Sequence, residues 1–229
     1  MVVIGYYTTD PVYSECYELL KASMDRFGMK YDFEAIDPGE WKYITDLKPR
    51  IVLGMLEKYK QPILYLDVDA FVHEDLEPFF GGLNSDIALH YLTKKSGEEE
   101  LLSGTVYFDY NEKVISLVNA WLDAEKNNPT LNDQQSLQLA ISEFNSDLNL
   151  YQLPAAYTYI FDRKYSEVER PIIEHLQASR EIYCRRDMNT IKNRFKSLIG
   201  LSNNREKLLN RRHTRLVELK ELLARLAEK

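Results

Sequence analysis

The sequence predicts an α/β protein: a Rossmann-like mixed sheet flanked by helices, with a C-terminal helical tail. Three observations predict it. Over residues 1–69, short apolar runs bounded by turn residues alternate with segments whose apolar residues recur at helical spacing. The third run ends on two aspartates one residue apart, Asp67-Val68-Asp69. The stretch from Arg180 to Lys229 holds 14 Lys+Arg and 6 Asp+Glu, against 15 and 30 in the rest of the chain. An acidic body therefore carries a basic end.

The elements follow in order. "MVVIGYYT" reads as a buried strand, stopped by Thr8-Thr9-Asp10-Pro11. From Tyr13 to Phe27 the apolar positions Cys16, Leu19, Leu20, Met24 and Phe27 share a helix face, and Gly28 closes it. "YDFEAID" is a second strand and Pro38-Gly39 a turn. "DLKPRIVLGMLEKY" is a helix with Pro49 near its start, and "QPILYLDVD" the third strand. This order is half of a doubly wound sheet, in which ligands bind outside the carboxyl ends of the strands. Asp67, Asp69, Tyr6, Tyr7 and Thr8 fall at such ends. "DIALHYL" and "LLSGTVYFDY" read as strands, Glu112–Lys126 and Asp133–Phe144 as helices, and "LYQLP" as a short strand. Residues 155–169 read as aromatic and irregular, and "RPIIEHL" as a last core strand leading into a loop. From about Asn203 the chain reads as helix, with Leu209, Leu216, Leu219, Leu223 and Leu226 on one face and Arg212 at the missing step.

Composition narrows the function. The 229 residues, 45% of them hydrophobic, suit one domain of ordinary size with an appendage. A net charge of −7 argues against a protein that binds nucleic acid over its whole surface. Sixteen tyrosines suit pockets for sugars and bases, as well as ordinary core and surface positions. Two cysteines, Cys16 and Cys184, make neither a disulfide framework nor a metal spacing. The start has no basic region ahead of an apolar core, and no apolar run reaches the length of a membrane span. A soluble protein of the cytoplasm is expected, with a bacterial or phage-infected host as one setting.

The aspartate pair carries the chemistry. Residues i and i+2 of a strand point the same way, so Asp67 and Asp69 can aim at one point. Two like charges so close call for a cation between them. A hard divalent ion with oxygen ligands fits, and two carboxylates leave coordination positions for phosphate oxygens. The competing reading of the pair alone is a solvated strand end. Haloacid-dehalogenase phosphatases also place Asp-X-Asp after an apolar strand, but on the first strand of the domain and followed by X and Thr or Val. Here it lies on the third and continues Ala70-Phe71.

Several segments together resemble GT-A glycosyltransferases, most closely the retaining glycogenin-type nucleotide-diphospho-sugar transferases. They are "YYTTDPVYSECYELLKAS", "LKPRIVLGML", "ILYLDVDAFVHEDLEPFF", "LLSGTVYFD", "NDQQSLQLAI" and "IIEHLQAS", in the family's order. The resemblance covers about residues 1–180, taken as a catalytic domain, with 181–229 as a basic helical extension. It implies transfer of a hexose or pentose from a nucleotide-diphosphate donor, UDP-linked by preference, to an acceptor hydroxyl with retention. Asp67, Asp69 and His175 would hold Mn2+ or Mg2+, with Asp69 the more direct ligand and Asp67 also facing the donor. Tyr6, Thr8 and Tyr13 would line the nucleoside pocket, and Lys48 would approach the diphosphate or sugar. Ser103 and Gly104 would floor the sugar site, and Asp133 and Gln134 would bind sugar hydroxyls near the reacting carbon.

Local alternatives stand beside these roles. His175 could be an ordinary strand-end histidine, and Asp133 could share helix capping with Asn132. Leu102 stands where the family has Asn, and "LQASR" replaces its Gly-X-X-Lys-Pro-Trp after the histidine, with Arg180 as a substitute for the lysine. The basic tail suits an anionic acceptor or surface, such as a cell-envelope glycan or DNA with hydroxymethylated bases, and a protein acceptor is also open. It equally suits a helix that packs on the body or pairs with a second copy. A GT-A-like domain without turnover, binding a nucleotide or a partner through that helix, is the non-enzymatic alternative.

Overall fold

The computed structural model describes residues 1–228 except 95, 145–146, 164 and 189–203. Its main sheet has six strands: β1 (Val2–Thr8), β2 (Tyr31–Ile36), β3 (Ile63–Leu66), β5 (Ile87–Thr93), β6 (Glu99–Phe108) and β7 (Leu150–Gln152). Their spatial order is β2-β1-β3-β6-β5-β7. β1 runs parallel to β2 and β3, whereas β6 lies antiparallel to both β3 and β5, so the sheet is mixed. A second sheet of three short strands holds β4 (Ala70–Val72), β9 (Ile173–His175) and β8 (Tyr159–Ile160), in that spatial order.

Side-chain alternation sorts the core into two layers. Val2, Ile4 and Tyr6 of β1 join Ile63 and Tyr65 of β3 on one face, packed against α3 (Lys48–Tyr59) and α5 (Glu112–Asn127). Val3, Leu64 and Leu66 turn to the other face, where Leu20 and Met24 of α1 (Pro11–Asp25) cover them. The helices on either side of β1 thus lie on opposite faces, and the strand order reverses between β1 and β3. A ligand crevice is expected at the carboxyl ends of those two strands.

Local chemistry sets the ends of these helices. Asp10 caps α1, accepting from the amides of Val12 and Tyr13 at 3.0 and 3.2 Å. Gly28 follows with φ +62°, a conformation that favours glycine. α6 (Asp133–Glu143) opens with a capping box between Asn132 and Gln135.

The structure differs from the sequence reading in five places. β3 ends at Leu66, so Asp67-Val68-Asp69 forms a turn into β4 and not a strand end. A short helix α2 (Trp41–Thr45) precedes α3, and α4 (Glu77–Phe80) follows β4. The expected last core strand is β9 of the small sheet, paired with β4 and β8. The irregular aromatic stretch contains a 3-10 turn at Ala155–Tyr157 as well as β8. The segment after β9 is a helix, α7 (Ala178–Met188).

The tail forms α8 (Asn204–Ala227), whose Leu216 and Leu219 are buried with Leu19, Phe71 and Leu176 of the body. The seam that reads as a heptad therefore packs on the domain along this stretch. Among the described residues no helix is long and apolar enough to cross a membrane.

Candidate functional site: a pocket at the switch point

The carboxyl ends of β1 and β3 open into a pocket lined by Tyr6, Tyr7, Thr8, Tyr13, Lys48, Asp67, Asp69, Ser103, Asp133 and Gln134. Nine residues expected from the sequence thus share one cavity: all of these but Tyr7. Gly104 and His175 adjoin it: a Cβ on Gly104 would meet His175 Cε1 at 2.9 Å and Asp67 Oδ2 at 3.0 Å.

Asp67, Asp69 and His175 each offer one ligand atom, all within 4.8 Å of one another. The turn accomplishes what a strand end cannot: it folds back so that β4 pairs with β9 and brings His175 opposite Ala70. His175 is 4% exposed, with Nε2 2.8 Å from Thr105 Oγ1 and Nδ1 3.7 Å from Asp69 Oδ1. In the tautomer that donates Nε2–H to Thr105, the Nδ1 lone pair faces the aspartates, as a metal-ligating imidazole requires. Two carboxylates and one imidazole are a chemically sound donor set for Mn2+ or Mg2+ that leaves positions for diphosphate oxygens. A side chain on Gly104 would fill this space, so the residues present fit such an ion.

Asp69 is held from below. Its carbonyl accepts from the Leu176 amide at 2.8 Å and its Oδ2 from the Ala178 amide at 2.7 Å. Gln177 between them takes φ +54°, uncommon for a non-glycine residue, and lines the pocket. Burial raises the Asp69 pKa, but the neighbouring His175 ring, the Ala178 amide and Arg212 bring it below the ordinary value. Asp67 moves the other way: burial raises its pKa, Lys48 opposes this, and the Asp69 and Asp133 charges reinforce it.

Lys48 is buried at 4% exposure, with Nζ 2.6 Å from Asp133 Oδ2, 3.1 Å from Asp67 Oδ1 and 3.2 Å from Ser103 Oγ. Burial alone would lower its pKa, but Asp133 and Asp67 outweigh this and hold the ammonium above the usual lysine range. Ser103 Oγ donates to Asp133 Oδ2 at 2.9 Å. Asn132 takes the capping role, so the Asp133 side chain is not spent on the helix end. Trp121 Nε1 donates to the Asp133 carbonyl at 3.1 Å and fixes the start of α6. Gln134 Nε2 donates to Glu100 Oε1 at 3.2 Å.

At the other end, Thr8 Oγ1 donates to Asp10, tying β1 to the α1 cap. Tyr6 is buried, and its hydroxyl donates to the Ile44 carbonyl at 2.8 Å, anchoring α2. Tyr7 lines the pocket and stacks on Tyr17, centroids 4.3 Å apart. Burial raises the phenol pKa of both Tyr6 and Tyr13, so both hydroxyls stay protonated.

Three departures from the sequence reading follow. Arg180 is not among the pocket-lining residues; its Nη1 pairs with Asp162 at 2.7 Å, and Gln177 and Ser179 represent that segment in the pocket. Trp41, 57% exposed, lines the pocket and was not singled out from the sequence. Tyr65 was also missed: its hydroxyl donates to Asp67 Oδ1 at 3.0 Å and its ring lies 4.8 Å under Lys48 Nζ. The signal was present, because Tyr65 shares its strand face with Asp67.

A mixed sheet with its pocket at the strand switch, flanked by helices, defines a GT-A glycosyltransferase fold. The model of the nucleotide-diphospho-sugar transferase family matches residues 10–183, so the chain belongs to that family and is a glycosyltransferase. This sets aside the phosphatase reading of Asp-X-Asp. No curated protein matches the chain. Among solved structures, the fold is similar to that of a glycosyltransferase involved in the glycosylation of the major capsid of PBCV-1. That match has a TM-score of 0.60 at 13% identity, over 77% of this chain and 92% of that one. It is also similar to the glycosyltransferase GlyE of Streptococcus pneumoniae TIGR4, with a TM-score of 0.51 at 15% identity, over 76% of this chain and 54% of that one. The apo form of GlyE gives 0.54 at 13% identity, over 76% and 53%. The matched part of this chain thus spans about half the length of GlyE.

Proposed function

We propose that this chain is a metal-dependent transferase that moves a hexose or pentose from a nucleotide-diphosphate donor, UDP-linked by preference, to an acceptor hydroxyl with retention of configuration. The observation that carries the reading is the convergence of Asp67, Asp69 and His175 within 4.8 Å beside Gly104. Asp67, Asp69 and His175 would hold Mn2+ or Mg2+, which when bound offsets charge on the departing diphosphate.

The remaining roles belong to side chains. Tyr6, Thr8 and Tyr13 line the nucleoside end, with Tyr6 supporting the wall through Ile44. Ser103 and Gly104 floor the sugar end, Gly104 by admitting close approach. Asp133 and Gln134 accept and donate to sugar hydroxyls next to the reacting carbon. Lys48 holds the Asp133 carboxylate in place, and so reaches the donor through it. Among the described residues the pocket offers no dedicated general base beyond these groups, so the leaving phosphate takes the acceptor proton on the same face. The acceptor enters past Trp41, which supports a carbohydrate acceptor with an apolar ring face.

The test is thermal unfolding with UDP, GDP, CDP, ADP and dTDP, each with and without Mn2+, beside Asp69→Ala. A ligand at a hundred times its dissociation constant adds about 2.7 kcal/mol. A Mn2+-dependent shift with one nucleotide, absent in the variant, supports the reading and names the donor. No shift with any of them overturns it in favour of a domain without turnover.

A further inference from the structure

The tail helix α8 touches the segment around His175 through one buried and one half-buried arginine. Arg212 is 2% exposed, although its neighbours on the helix face solvent. Its Nε donates to the Leu176 carbonyl at 2.9 Å, its Nη1 pairs with Glu181, and its Nη2 lies 3.0 Å from Cys16 Sγ. One turn on, Arg215 forms a two-point pair with Glu174: Nε to Oε1 and Nη2 to Oε2, each at 2.8 Å. Glu174 is 1% exposed and its only other side-chain partner described is His73 Nε2 at 2.8 Å.

These contacts fall on a continuous piece of chain. Glu174 precedes His175, Leu176 follows it, and the amides of Leu176 and Ala178 grip Asp69. The Leu176 peptide is therefore held at both ends: its N–H by Asp69 and its C=O by Arg212. Between them Gln177 keeps a left-handed backbone that needs support from its surroundings. A planar guanidinium with several fixed donors binds Leu176 and Glu181 together in a set geometry, which a flexible ammonium does not impose.

We propose that α8 is a positioning element of the transferase site: Arg212, through the Leu176 carbonyl, and Arg215, through Glu174, hold the 174–178 segment so that His175 and Asp69 meet a divalent cation in register. The inference rests on the reading of Asp67, Asp69 and His175 as metal ligands. The tail that lies outside the family match is then part of the catalytic apparatus, and the site is incomplete without it.

The experiment compares the full chain with Arg212→Lys, Arg212→Gln, Arg215→Gln and the core truncation Leu117→Ala on α5. Three quantities are read: the Mn2+ dissociation constant by electron paramagnetic resonance, with and without nucleoside diphosphate; the unfolding midpoint in EDTA; and hydrogen exchange at the Leu176 and Ala178 amides. Removing a partner outside the ligand shell is expected to weaken metal binding about 10–100-fold. Arg212→Gln and Arg215→Gln should show this with faster exchange at both amides, and Arg212→Lys, which keeps the charge beside Glu181, an intermediate loss. Leu117→Ala should lower the midpoint and leave Mn2+ binding and those amides unchanged. Wild-type Mn2+ affinity in the arginine variants overturns the inference, as does an equal loss in Leu117→Ala, which would make the effect one of stability. If the wild type itself binds no Mn2+, the metal reading has failed. Unchanged exchange in the arginine variants, measured without metal, is instead a failure of the clamp alone.

Discussion

Lys48 Nζ lies 2.6 Å from Asp133 Oδ2, so the first turn of α3 and the first turn of α6 meet through one buried ion pair. The same ammonium reaches Asp67 Oδ1 at 3.1 Å and thereby joins Asp133 to the Asp67-Val68-Asp69 turn. Part of the positive charge demanded by the aspartate pair is thus built into the protein, and it opposes Asp67 rather than Asp69.

Replacing Lys48 with Met should leave two carboxylates facing each other across the pocket floor. Breaking a buried pair by removing one partner costs about 3–5 kcal/mol. Urea unfolding should show a loss of this order, and Mn2+ should recover part of it by neutralising Asp67. The double variant Lys48→Met/Asp133→Asn should regain stability and remain inactive. A single variant as stable as the wild type would mean that water reaches Asp133 freely.

Gly104→Ala should separate site geometry from folding. The added methyl would meet His175 Cε1 at 2.9 Å, Asp67 Oδ2 at 3.0 Å and His175 Nδ1 at 3.2 Å. These are ends of side chains, so the fold can yield where the ligand set cannot. Transfer activity and Mn2+ affinity should fall at least about tenfold, with an unfolding loss of only about 1 kcal/mol. Normal metal affinity in this variant would argue that the ion sits away from His175.

Much of this site was legible in the sequence because its residues lie at the ends of long, strongly patterned elements. Alternation in β1 and β3 placed Tyr6, Thr8 and Asp67 together, and the helical spacing after Asp133 placed α6. The exact path of Asp67-Val68-Asp69 was not legible, because a turn into a three-residue strand carries no period of its own. Arg180 went astray for a related reason: only the left-handed Gln177 decides which side chains of the segment face the pocket. Arg212 was visible as a break in the leucine seam, and burial of a guanidinium at such a step depends on Glu181 and the Leu176 carbonyl, far away in sequence. Trp41 offered no pattern, since its five-residue helix is fixed by the Tyr6 hydroxyl on another strand.

Glu125 should make stability fall as pH rises from the ordinary carboxylate pKa of 4.5 to about 8. Burial raises its pKa from the ordinary 4.5 to about 8, with Asp46 adding to the shift and the Ser136 hydroxyl bond at 3.2 Å opposing it. A carboxyl that binds its proton more tightly in the folded state stabilises the fold below the unfolded pKa. That contribution is lost as pH rises through the folded pKa. Between pH 5 and 8.5 the wild type should lose stability relative to Glu125→Gln, by about 1–2 kcal/mol once solvent screening is allowed for. Parallel urea-unfolding curves for the two proteins across that range would refute the shift.

Trp41 should act on the acceptor and not on the donor. It is 57% exposed and lines the cavity that also holds Lys48, Asn132, Asp133 and Gln134. A large aromatic face open to solvent beside a polar pocket is costly in water unless something covers it, and the C–H face of a pyranose is a suitable cover. Its helix does not depend on the indole, because the Tyr6 hydroxyl holds Ile44 and Lys42 pairs with Asp46. Trp41→Ala should therefore fold normally and raise the acceptor KM about tenfold, equivalent to about 1.4 kcal/mol. Donor hydrolysis in the absence of acceptor should keep its rate, and Trp41→Phe should recover most of the affinity. If nucleoside diphosphate binding weakens instead, the indole stacks on the donor base and the acceptor enters elsewhere.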